Sequence, residues 1–133
     1  MFLGTFTPKF LAKGQIALPA KIRNGLGGDR TVLTTGFDKC LYGFSLEDWQ
    51  KIAASELVKP LSTAEGRLVR RQMFASAEEV DLDNQGRFVI NENLRNYAGI
   101  NGEEVIVIGA GDHFEIWDKN EWEKTRLVTL GNE

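Results

Sequence analysis

The chain states most of its pattern twice. Met1-Phe2 returns as Met73-Phe74, Gly14 as Gly86, and Ile22-Arg23 as Leu94-Arg95, all at an offset of 72. After a one-residue insertion, Val32, Gly36 and Trp49 return as Val105, Gly109 and Trp122, at an offset of 73. Internal repetition decides architecture before any local pattern does, and two copies are too few for a solenoid. They make a pseudo-symmetric pair that fills most of the 133 residues.

Each copy has the same outline. Residues 4–10 and 14–18 read as a β-hairpin turning at Gly14, and 78–83 with 86–90 as its counterpart around Asn84-Gln85-Gly86. A short helix follows each hairpin, opened by Pro19 in the first copy and capped by Asn91 and Gly99 in the second. Then come two more strands, "TVLTTGF" with "CLYGF" and "EVIVIGA" with "HFEIW". Ser45 with Asp48 and Asp118 with Glu121 predict capped helices closing the copies. Trp49, Ile52, Ala53 and Leu57 form an apolar helical stripe, and the tryptophans read as core anchors. Pro60 separates the copies, and Ser62 or Thr63 starts a linking helix to about residue 74.

Four short strands leave edges that must be paired or covered. Two copies related by a pseudo-two-fold axis remove them by interleaving their hairpins into a closed barrel. The expected fold is therefore α+β, with two tandem β-β-α-β-β-α repeats and peripheral helices. The first repeat is placed at 1–58, the linking helix at 59–73, the second repeat at 74–126 and a C-terminal tail at 127–133.

Composition narrows the class. With 42% apolar and 26% charged residues the chain is an ordinary globular protein. It has neither a membrane-length apolar run nor a signal-peptide start, so no membrane partner is expected. One cysteine, Cys40, fits a reducing cytoplasm and reads as a small buried hydrophobe. Residues 1–72 hold 11 Lys or Arg against 6 Asp or Glu, a net of +5; residues 73–133 hold 5 against 13, a net of −8, and together they give −3. That split permits a local field for a polyanion on one face, or attraction between unlike halves of neighbouring subunits.

The copies part at their hairpin tips. The second has Asp83-Asn84-Gln85-Gly86-Arg87; the first has Leu11 and Gln15 where the Asp and Arg stand. The quoted stretches "MFLGTF", "AKGQIALPAKIR", "LDNQGRFVINENLRNYAGI" and "VIVIGAGDHFEIWDKNEWEK" resemble the MraZ family of bacterial regulators, in order and over nearly the whole chain. Its hallmark, a repeated Asp-x-x-x-Arg, is intact at Asp83 and Arg87 and absent at Leu11 and Gln15. The resemblance implies a swapped-hairpin barrel of the AbrB class, nucleoid association, and a ring-shaped homo-oligomer. It further implies double-stranded DNA as partner, at direct repeats in the promoter of the cell-division and cell-wall gene cluster.

For such a protein the ribbon tip is the probe, because the major groove admits a two-stranded ribbon and Arg matches guanine O6 and N7. Asp83 is then the orienter and Arg87 the reader. The plain alternative is that the pair only pins its hairpin. In the first copy both partners changed together, which is coherent if the Asp exists to hold the Arg. Gln15 keeps the ability to bond an adenine edge, and Lys9, Lys13, Lys21 and Arg23 are expected to grip phosphates.

Other charged residues have quieter expectations. Arg67, Arg70 and Arg71 share a helix face and are expected to pair with acidic residues of this or a neighbouring subunit. Glu79, Asp81 and Asp83 alternate along a strand as a solvated or subunit-facing stripe rather than a metal site. His113 has no nucleophile beside it in the sequence. With no phosphate-binding Gly loop, metal-ligand spacing or triad, no enzyme activity and no cofactor are expected. Two functions remain: a sequence-specific DNA-binding regulator, and a ring-forming scaffold of the same descent with weakened DNA recognition.

Overall fold

A computed structural model describes residues 1–101 and 104–129. In chain order the elements are β1 (Thr5–Phe6), β2 (Phe10–Leu11), β3 (Gln15–Ala17), α1 (Ala20–Asn24), β4 (Arg30–Thr35), β5 (Leu41–Phe44), α2 (Leu46–Glu56) and α3 (Ala64–Val69). The second half adds β6 (Glu78–Asp81), β7 (Arg87–Val89), α4 (Glu92–Ala98), β8 (Val105–Gly109), β9 (Phe114–Asp118) and α5 (Lys119–Thr129). The last helix runs past residue 126 into the stretch expected as a tail, and residues 130–133 of that tail lie outside the described residues.

The repeat is visible in the sheet order. A six-stranded antiparallel sheet runs β1-β8-β9-β5-β4-β6, and the central β5–β9 pair, with Leu41 opposite Ile116, joins the repeats. Outward from that pair, each half ends in a strand lent by the other repeat. β1 pairs with β8, Thr5 opposite Ile108; β6 pairs with β4, Arg30 opposite Asp81. A separate three-stranded sheet, β2-β3-β7, again crosses between repeats, with Ile16 opposite Phe88 and Ala17 opposite Arg87.

The expected hairpins are therefore correct at their tips and not along their arms. In the first, only Phe10 and Leu11 pair back onto Ile16 and Gln15; in the second, the N–H of Asp83 reaches the carbonyl of Arg87 before the arms part. The arms diverge because β4 and β8 each have a free edge, and a strand from the other repeat covers it. The expected closed barrel is not seen among the described residues. Hydrogen bonding gives two sheets among the described residues, with β1 and β6 at the edges of the larger.

One apolar core serves both repeats. Phe2, Ile16, Ile22 and Leu33 from the first pack with Phe88, Ile90, Leu94, Val107 and Ile116 from the second. Fully burying each such side chain contributes about 1.5–3 kcal/mol. Trp117, with Ile106 and Cys40, forms a smaller cluster on the far side of the sheet, with Trp122 packed against it. Trp117 is buried as expected, whereas Trp49 is half-buried, edge-on to Phe74 and tilted against Phe44. None of α2 is fully buried, so its apolar stripe covers the sheet only in part.

The caps follow the sequence. Ser45, Thr63 and Asn91 each accept a backbone N–H three residues on, at 3.0, 2.9 and 2.8 Å, and Gly99 ends α4 in the left-handed region at φ 69°. The linking helix is α3 continued by a π-turn at Arg70–Phe74. The hydroxyls of Thr34 and Thr35 donate to the carbonyls of Met73 and Gln72, fastening that turn to β4.

Candidate nucleic-acid interface

The second tip is organised by one carboxylate. Asp83 Oδ1 accepts the backbone N–H groups of Gln85 and Arg87 at 2.8 and 2.9 Å, and Oδ2 accepts Arg87 Nε at 2.7 Å. The N–H of Gly86 closes the turn onto the Asp83 carbonyl at 2.9 Å. The Arg87 N–H first, then its guanidinium and the Gln85 N–H, hold the Asp83 carboxyl below its ordinary value. Asp83 thus shapes the turn and orients Arg87 at once. The ion pair engages Arg87 through Nε, and the Arg87 side chain stays 42% exposed.

Leu11 has no acceptor to do this, and the first tip turns differently. Residues Ala12–Gly14 form a 3-10 turn in which Lys13 and Gly14 both take positive φ, 69° and 80°. Lys13 is the only non-glycine with positive φ among the described residues, a conformation that costs about 1–2 kcal/mol. Its counterpart Gln85 avoids it because Asp83 holds the turn. The tips are one device built by two means: a carboxylate bracket in the second and backbone strain in the first.

Register places the tips on a common face. Opposed residues in an antiparallel pair point the same way, and residues two apart share a face. Leu11, Gln15, Ala17, Arg87 and Val89 therefore point outward, while Ile16 and Phe88 point into the core. The outer face has two rows. One is Leu11, Gln15 and Val89, aligned across the three strands; the other is Ala17, Arg87 and the attached Asp83. The 72-residue offset carries each member of one row onto a member of the other.

The tips are braced by the opposite repeat. The carbonyl of Gly86 accepts the N–H of Leu18, and that of Gly14 accepts the N–H of Ile90, both at 3.0 Å. Arg23 lies over Gly86, where a Cβ would come within 2.2 Å of its Cδ; Arg95 lies over Gly14, 2.7 Å from such a Cβ. Both glycines also have positive φ, so side chains are excluded twice. Arg95 Nε donates to the Ile90 carbonyl at 2.9 Å, whereas Arg23 Nε is buried without a partner. Arg23, expected at phosphates, is in this structure a half-buried brace beneath the second tip. Lys9, Lys13 and Lys21 are exposed, Gln15 is partly so, and Lys9 forms an isolated backbone bridge with Glu104.

The other charged residues find partners within the chain. Among the described residues Arg67 and Arg70 bond carbonyls rather than carboxylates: Arg67 donates to those of Leu61 and Ser62, and Arg70 to those of Lys59 and Gly66, tying the linker loop to its helix. The stripe of Glu79 and Asp81 is solvated as expected, with side chains 61% and 75% exposed, and Arg30 meets it at 3.3 and 2.7 Å. Sequence reasoning missed Val89 as a member of the outer face. Its signal was the alternation Arg87-Phe88-Val89-Ile90, which turns an apolar residue to solvent. It also missed a cavity of about 310 Å³ beside α2, lined by Phe37, Tyr42, Phe44, Ile52, Met73 and His113 among others.

The comparisons with known proteins agree on one family. The family model described as "MraZ protein, putative antitoxin-like" matches twice, over residues 1–72 and 73–126. The chain is 42% identical over 123 residues to the transcriptional regulator MraZ of Acetivibrio thermocellus, a match spanning 92% of this chain and 85% of that protein.

Proposed function

The chain belongs to the MraZ family, and from that premise we propose that it is a transcription regulator that binds double-stranded DNA sequence-specifically through its exposed β-ribbon face. The observation that carries the proposal is the intact Asp83–Arg87 bracket, an Arg held in a fixed pose by a carboxylate at the tip of an outward-facing ribbon. Arg87 reads guanine, Asp83 orients it, and Lys9, Lys13 and Lys21 contact phosphates. Arg23 acts from behind by supporting the tip. Gln15 replaces an Arg and so alters base preference in the first copy.

In this proposal the chain assembles as a ring-shaped homo-oligomer, in which the basic half of one subunit meets the acidic half of the next. Such heterologous contacts close into rings when the rotation permits. The strand exchange between repeats is the basis for placing each chain in the swapped-hairpin barrel class. Several tips on one ring engage successive direct repeats, and affinity rises through effective concentration. The proposed targets are promoter repeats of the cell-division and cell-wall gene cluster, with the protein cytoplasmic and nucleoid-associated. It has no enzymatic role in this account. Among the described residues no helix is long and apolar enough to cross a membrane.

A second reading keeps the ring and loses specific DNA binding, as a scaffold for partners; the Leu11 and Gln15 tip is what favours it. Fluorescence anisotropy on the DNA upstream of the chain's own gene, against scrambled DNA, separates the two. The regulator binds the upstream duplex at least about tenfold tighter than the scrambled one. The scaffold binds both weakly and alike. Light scattering that finds only monomers at micromolar concentration defeats the ring in either case.

A further inference from the structure

The row Leu11–Gln15–Val89 has lost its charge without becoming inert. Leu11 and Val89 are 48% and 52% exposed, and register sets them on either side of Gln15. A side-chain amide between two apolar groups is poorly suited to a phosphate, which calls for a cation. We infer that this row is a base-reading element specific for an A·T pair, beside the guanine-reading row of Arg87. The inference rests on the DNA-binding function proposed above.

The chemistry of the major groove supports the assignment. Adenine presents N7 as acceptor and N6 as donor, which the Gln15 amide matches with one donor and one acceptor. Thymine adds a C5-methyl group, the one apolar feature in the groove, and Leu11 or Val89 covers it. Guanine presents two acceptors, N7 and O6, so the Gln15 carbonyl oxygen would face O6 without a proton between them. Both elements of the A·T pair, the amide edge and the methyl, therefore have a counterpart in this row, whereas the G·C pair offers no methyl and no bidentate match on its purine.

The spacing of the rows predicts the spacing of the bases. Gln15 and Ala17 lie two residues apart on β3, and Arg87 sits opposite Ala17. Two residues of antiparallel strand span about 6.8 Å, close to two base-pair steps at roughly 3.4 Å each. With the ribbon lying along the groove, the A·T pair stands about two steps from the guanine read by Arg87. One chain thus recognises an asymmetric element, although its scaffold is pseudo-symmetric.

The test is selection of bound duplexes from a pool with a randomised central segment, using the full chain. The wild type is expected to enrich a motif with a G·C column and an A·T column about two steps apart. Gln15→Ala lowers the preference for A·T at that column by at least about fivefold and leaves the G·C column intact. Arg87→Ala does the reverse. The double variant Leu11→Asp/Gln15→Arg converts the A·T column to G·C. An enriched motif with no A·T column, or an A·T column that survives Gln15→Ala, overturns this inference alone. A wild-type pool with no enriched motif defeats sequence-specific binding itself, and this inference with it. Circular dichroism of each variant, matching the wild type, confirms that a lost column is not a lost fold.

Discussion

The two ribbon tips share a backbone plan and differ in what holds it. In the second, Asp83 bonds two backbone N–H groups and the Arg87 guanidinium, so turn and guanidinium are fixed by one side chain. In the first, Leu11 offers nothing, and Lys13 takes a left-handed conformation instead. Beneath both, the inner face is the same: Ile16 and Phe88 are opposed and buried in one core. Selection on the fold and selection on the tip can therefore act separately, since successive residues of a strand face opposite sides. A repeat can alter its tip without loosening its core.

The comparison sharpens first in the core. Phe88→Ala is expected to cost about 3–5 kcal/mol and its twin Ile16→Ala about 2–5 kcal/mol, measured by urea unfolding. Because one core draws on both repeats, both variants should show a single transition. Two separated transitions would break the claim of a shared core. By contrast, Gln15→Ala and Arg87→Ala point outward and should leave the urea midpoint nearly unmoved.

The glycines at the tips come next. Gly14→Ala and Gly86→Ala each force a Cβ into the left-handed region and against an arginine from the other repeat, and each should lose about 1–2 kcal/mol. Equal losses support the cross-bracing; a loss at one tip alone would show that only that brace carries weight. A smaller effect of opposite sign is expected at Lys13. Lys13→Gly relieves the strained turn and should raise stability by up to about 1 kcal/mol, whereas Gln85→Gly, at the same position of the bracketed tip, should lower it.

The smallest effect concerns another pair of twins, Cys40 and His113, related by the 73-residue offset. Burial pushes the Cys40 thiol up. At His113 burial acts downward, but hydrogen bonds to Glu115 and Asp112 at 2.8 and 2.9 Å outweigh it, and the imidazole titrates above its ordinary value. A raised folded value means the contribution is complete below the unfolded histidine value of about 6.5 and is lost as pH rises through the folded one. Melting temperature should therefore decline slightly from mildly acidic to mildly alkaline pH. In His113→Gln that part of the decline should vanish.

Much of this was legible in the sequence, and what was not has physical reasons. The repeats show as recurrence at a fixed offset, and the caps at Ser45, Thr63 and Asn91 and the Asp83–Arg87 pair are encoded within a few residues. The partner of a strand is not. Nothing in Thr5–Phe6 or Glu78–Asp81 says that each pairs with the other repeat, because alternation reports which face is buried and not which edge is free. The within-chain partners of the linker arginines are hidden for a similar reason. Their partners are backbone carbonyls of residues 59, 61, 62 and 66, which every residue has and no sequence distinguishes. Val89 was visible as an outward apolar residue, but its place beside Gln15 depends on strand exchange.

The asymmetry of the tips is tested most directly by anisotropy on one duplex. Wild type, Arg87→Ala and Gln15→Ala are titrated onto the DNA upstream of the chain's own gene and onto scrambled DNA, across a salt series. The wild type should prefer the upstream duplex, and Arg87→Ala should reduce that preference by at least about tenfold. Gln15→Ala should reduce it less and keep the wild-type salt dependence, because no phosphate-bound cation is removed. An Arg87→Ala protein that retains the wild-type preference would contradict the account, as would a wild type that binds both duplexes equally at every salt concentration.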